Sequence, residues 1–189
     1  MLQHKVTPSF ERAIFLIENA YNDNQLSYEK FQKIISLQTE IIKSISNNIP
    51  TPERKIDYLY QLAQQSPEQY ETAFDFLKSN WGVYSYMTDS LILLDSNRVI
   101  IHYPYEYSTL DPMGTMDWKN TQVTNLLISK KGNCFALASL YKILADRLQT
   151  DAILCSVPNH IYIAHKDENG TQYNIDLGTR SFPGLGTLN

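Results

Sequence analysis

A chain of 189 residues, 43% of them apolar, is long enough to fill one core or two small ones that share an interface. Its net charge of −4 is spread, with lysines and arginines scattered among acids, so neither nucleic acid nor an anionic membrane is expected as a partner. No apolar run approaches the roughly 18 to 20 residues that span a bilayer, and the segment after Met1 lacks the parts of a signal peptide. The expected location is cytoplasmic by default, and periplasmic or secreted if a leader has been removed.

From Thr7 to about Asn80 the pattern is helical. Thr7-Pro8 reads as a cap, with Phe10, Ile14, Ile17 and Tyr21 lining one face of the first helix. A second helix is expected from near Ser27, with Phe31, Ile34, Ile35, Leu37, Ile41, Ile42 and Ile45 as its apolar residues, ending before Asn47-Asn48-Ile49-Pro50. Thr51-Pro52 and Ser66-Pro67 announce a third and a fourth. Trp81-Gly82 marks a change of texture, which divides the chain into a helical region (1–80) and a core (81–189).

Leu91 to Leu94 and Val99 to His102 read as a hairpin around Asp95-Ser96-Asn97, and Tyr103 to Trp118 as a long loop. A short helix over Thr121 to Ser129 precedes the most apolar helix, which opens at Cys134 and ends near Leu148. Three strands follow: Ala152 to Val157, His160 to Lys166 and Gln172 to Leu177. Helices, a hairpin, then a helix and a meander make an α+β domain.

Gly132 and Asn133 suit the turn and cap before the apolar helix, so Cys134 falls in its first turn. There the free amides and the helix dipole favour a thiolate, and Lys130 and Lys131 act the same way if they lie close. Ala138, one turn on, leaves the sulfur unblocked. Alone, such a cysteine is more often packing than chemistry.

The balance shifts with His160 and Asp176. A three-residue turn Glu168-Asn169-Gly170 pairs Tyr162 with Asp176 and makes His160 and Asp176 diagonal neighbours on one face. A two-residue turn sends Asp176 to the other face. In the first register a carboxylate orients an imidazole whose other nitrogen meets a thiolate, the arrangement of cysteine hydrolases. Asn174, on the same face, is an alternative orienter, and Asp176 has the plainer option of bonding a backbone amide or Arg180. His102 and His165 lack a similarly placed carboxylate. The four histidines are dispersed, and Cys134 and Cys155 lack metal-ligand spacing, so no metal or cofactor is expected.

Gly132-Asn133-Cys134 opening a helix, Pro158-Asn159-His160 and Asn174-Ile175-Asp176-Leu177 together resemble the transglutaminase-like superfamily of papain-fold cysteine enzymes, most of all its compact bacterial branch. The resemblance covers roughly Trp118 to Gly184; no family pattern is evident in the helices before Trp81. It implies a papain-like core with Cys134 as nucleophile, His160 as general base and then acid, and Asp176 as orienter. It also implies an oxyanion site built from the Cys134 amide and a donor near Trp118, Gln122 or Asn133. Ile161 and Leu177 depart from the family, which commonly has a bulky aromatic after the histidine and a proline after the aspartate. The implied substrate is an amide of a peptide or protein. The alternative is an inactive domain of the same fold that binds a protein or peptide, using the tyrosine-rich stretch Tyr103 to Tyr107.

Overall fold

In the computed structural model, residues 9–48, 67–95, 98–166 and 172–183 are described, with the side chains of 67–77, 95 and 98 left aside. Helix α1 spans Phe10–Tyr21, and its cap is Ser9, whose side chain accepts from the Arg12 amide. The expected Thr7-Pro8 cap lies outside the described residues. The buried face is Glu11, Ile14, Phe15 and Glu18, so Ile17 and Tyr21 are exposed rather than packed. The helix is rotated from the apolar reading because both carboxylates have partners on the packed side. Glu11 accepts from Arg147 Nε at 2.6 Å and Nη2 at 2.9 Å, and Glu18 bonds two backbone amides.

Helix α2 (Tyr28–Asn47) starts from Ser27 as expected, but Ile34 and Leu37 face solvent while Gln38, Thr39 and Ser46 are buried. Thr39 and Ser46 hydroxyls return to the carbonyls one turn back, and Gln38 donates to the Tyr105 hydroxyl at 2.9 Å, so burial leaves these donors paired. The expected third helix after Thr51-Pro52 lies outside the described residues.

Helix α3 (Pro67–Thr88) runs straight through Trp81-Gly82, where the sequence suggested a change of texture. Gly82 is there for proximity: a Cβ on it would stand 2.1 Å from Ser46 Oγ and 3.3 Å from the Ile42 side chain of α2. A glycine inside a helix marks a close crossing here, not an end.

Strands β1 (Leu91–Asp95) and β2 (Arg98–His102) form the expected hairpin. A two-residue β3 (Glu106–Tyr107) pairs in parallel with β4 (Lys131–Gly132), matching Tyr107 to Gly132. Between them come a 3-10 turn (Trp118–Thr121) and α4 (Val123–Ser129). Then α5 (Cys134–Arg147) packs on an antiparallel sheet of β5 (Ala152–Val157), β6 (His160–Lys166) and β7 (Gln172–Ile175) in that order. The chain is therefore α+β. One buried cluster joins Ile14, Phe31, Ile42 and Val83 of the first helices to Leu140 and Leu144 of α5 and to Ile163 and Ile175 of the sheet. No described helix is long and apolar enough to cross a membrane.

Candidate active site

Asn133 caps α5, its side-chain oxygen accepting from the Ala136 amide at 3.1 Å, so Cys134 is the first residue of the helix. Gly132 is a strand residue rather than a turn. A Cβ on it would meet Ala136 Cβ at 2.9 Å and Leu126 at 3.2 Å, so its lack of a side chain lets β4 lie against α4 and α5. Leu137, Leu140, Tyr141 and Leu144 are buried along α5, while Cys134 is half-buried and reduced. Cys155 is likewise free.

Topology packs the histidine's strand against the helix that Cys134 opens. Helix α5, 14 residues long, extends about 21 Å. Strand β5, with 6 residues, extends about 20 Å. It follows the helix and packs against it, and Val157 pairs with His160 at its far end. At the opposite end of the strand His165 sets Nε2 3.0 Å from the Tyr141 hydroxyl and Nδ1 2.9 Å from the Asp151 carbonyl.

The β6–β7 register pairs Ile163 with Ile175 and Lys166 with Gln172. Continued outward, it sets Tyr162 opposite Asp176, as the three-residue turn requires; the turn itself lies outside the described residues. The strand ends at Ile175, two residues short of expectation, because Asp176 leaves it to form a bridge with Ser181.

Asp176 Oδ2 lies 3.4 Å from His160 Nε2. Nε2 is buried and the contact is not aligned as a hydrogen bond, a looseness common in catalytic pairs before substrate arrives. The other oxygen, Oδ1, accepts the Gly178 amide at 2.8 Å and the Thr179 amide at 3.4 Å. Asp176 thus holds its own turn with one oxygen and faces the imidazole with the other. Asn174 is committed elsewhere, accepting from Gln172 and donating to the Pro183 carbonyl at 3.1 Å, and Arg180 donates to the Tyr105 carbonyl.

Tyr107 is the residue that sequence reasoning did not assign to the site. It pairs with Gly132, two residues before Cys134, and its ring lies over Gly178, within 3.4 Å of where a Cβ would stand. Burial first, then the nearby Cys134 and Asp176, push its hydroxyl above the usual tyrosine range, which keeps it protonated. Its pairing with Gly132 and its contact with Gly178, 71 positions away in sequence, reveal its place, and no periodic signal carries them.

The lysines do not aim at the sulfur. The Lys130 ammonium stands 3.9 Å from the centre of the Tyr105 ring, where burial lowers it to about 8, and Lys131 pairs with Glu106 at 3.1 Å. Trp118 packs on Tyr21 with ring centres 4.7 Å apart. Gln122, 2% exposed, accepts from Asn22 at 3.2 Å and leaves its buried Nε2 without a partner among the described residues. These two candidate oxyanion donors are therefore gathered at the end of α1, and Asn133 serves as the helix cap. Among the described residues no group of three or more histidine, cysteine or carboxylate side chains is arranged to hold a metal ion.

The arrangement assembles a half-exposed thiol at a helix mouth, an imidazole paired with a carboxylate, and a protonated phenol between the elements that carry them. Compared with protein-family models, curated proteins and solved structures, the chain matches none.

Proposed function

We propose that this protein is a cysteine hydrolase or acyltransferase of the transglutaminase-like kind, with a papain-like core, acting on an amide of a peptide or protein. The observation that carries the reading is the His160–Asp176 pair at 3.4 Å, on the sheet that packs against the helix Cys134 opens. Asp176 faces Nε2, which leaves Nδ1 as the nitrogen for the thiol.

Cys134 as thiolate attacks the amide carbonyl carbon; a carbon–sulfur bond forms and the carbonyl π pair moves to oxygen. That oxyanion is received by the Cys134 backbone amide, a first-turn donor free of intrahelical partners, aided by the positive end of the α5 dipole. Protonated His160 gives its proton to the nitrogen as the carbon–nitrogen bond breaks, leaving a thioester. His160 next takes a proton from water, which attacks the thioester and releases acid and thiolate. An amine in place of water gives acyl transfer. No metal or cofactor enters these steps.

The test uses a Cys155→Ser background, so that one thiol remains, and follows iodoacetamide labelling of Cys134 in the folded protein. His160→Ala is expected to slow labelling at least about tenfold at neutral pH, as loss of the base that activates the thiol requires. Cys134→Ala is expected to abolish amide turnover with the fold intact. Unchanged labelling in the histidine variant, or turnover surviving in the cysteine variant, sinks the assignment.

A further inference from the structure

We propose that the arc from Thr109 to Lys119 is a subsite for an apolar side chain of the peptide whose amide Cys134 attacks. The inference rests on the nucleophile reading above and adds the substrate's chemical class to it.

Both ends of the arc are tied to the two residues before Cys134. The Ser108 amide donates to the Gly132 carbonyl at 2.8 Å where the arc begins, and the Asn133 amide donates to the Asn120 carbonyl at 2.9 Å where it ends. Midway, Asn133 Nδ2 donates to the Pro112 carbonyl at 3.1 Å. The arc therefore bends around the helix mouth that holds the thiol.

Its shape is fixed from within. The Asp111 carboxylate accepts the amides of Thr115 at 3.0 Å and of Met116 and Asp117 at 2.9 Å each. These amides hold its carboxyl below the usual range, so it stays ionised and keeps accepting at neutral pH. Asp117 in turn accepts the Lys119 amide at 3.0 Å. Both carboxylates of the arc are thus turned to its own backbone. What it presents outward includes Leu110, 91% exposed, Met113, 55%, and Met116, 86%.

One exposed apolar side chain needs no explanation; three on an arc whose backbone is held by its own hydrogen bonds and tied to the two residues before a candidate nucleophile make an apolar rim on an ordered backbone. Methionine suits such a rim, since its flexible thioether adapts to side chains of different shape. An extended substrate laid across Cys134 has its neighbouring residues passing this rim.

The thiol itself reports on the subsite. In the Cys155→Ser background, labelling rates are measured with iodoacetyl-leucine amide and its neutral, near-isosteric counterpart iodoacetyl-asparagine amide, each divided by its rate with glutathione to remove intrinsic reactivity. The leucine reagent is expected to be favoured about tenfold, the size of one apolar contact. Met113→Glu with Met116→Glu brings the ratio near one, Met113→Ala with Met116→Ala lowers it, and Met113→Leu keeps it. Fast labelling with a ratio near one in the parent protein overturns the subsite and leaves the nucleophile standing. Slow labelling by every reagent overturns both.

Discussion

Asp176 divides its oxygens between two tasks, and substitutions separate them. Asp176→Asn keeps an oxygen for the Gly178 amide but replaces the carboxylate that faces His160, so turnover is expected to fall on the order of 10²-fold with little change in melting temperature. Asp176→Ala loses the turn bond as well, which costs roughly a further 1 kcal/mol, read in urea denaturation. Equal activity in Asp176→Asn and the parent sinks the orienting role. The placement of Asp176 beside His160 was legible in the sequence only as one of two registers, since strand periodicity leaves the turn length open; the β6–β7 pairing selects the three-residue turn. Tyr107 was not, because a two-residue parallel strand carries no period and its partners lie across the fold. Nor were the buried roles of Glu11 and Glu18, whose burial depends on Arg147 and on the Val123 and Thr124 amides rather than on neighbours in sequence.

The helices were legible in their existence and less so in their ends and faces, because apolar periodicity cannot see a paired polar group. Glu18 supplies the cap that α4 lacks locally: Gln122, at the cap position, gives no side-chain bond, and the Glu18 oxygens accept the Val123 and Thr124 amides at 2.7 and 2.8 Å. Removing them with Glu18→Ala leaves one buried and one half-buried donor open and is expected to cost about 2 kcal/mol of stability, measured by denaturant unfolding. Gly82 tests the crossing of α3 over α2. Gly82→Ala drives a methyl into Ser46 Oγ and is expected to destabilise by about 2 kcal/mol, despite alanine's better helix propensity. Combined with Ser46→Ala, which removes the oxygen it meets, the cost should be partly recovered. Strict additivity of the two would mean that the helices do not meet there.

Across the whole molecule, the single buried cluster links stability to pH through two histidines that are not in the candidate site. His102 stacks on Tyr86 with ring centres 4.1 Å apart and donates from Nε2 to the Tyr86 carbonyl at 2.7 Å; Tyr105 meets it edge-on, and burial followed by the nearby Lys130 charge pulls it below its ordinary value. His165 is lowered too, by burial against the helix that carries Cys134. Both are held neutral in the folded chain while the unfolded chain takes up protons at about 6.5. Their contribution is fully present above that pH and is lost as pH falls through the lowered folded-state values. Glu18 acts with the opposite sign: burial raises it, so its term favours folding below its ordinary value of 4.5 and fades as pH rises through the raised one. The difference between variants therefore isolates each. Urea midpoints taken between pH 7 and pH 5 should fall with acidification in the parent protein and fall less steeply in His102→Gln, which keeps a donor for the Tyr86 carbonyl but cannot charge. Identical slopes in the two proteins would show that His102 does not drive the acid sensitivity.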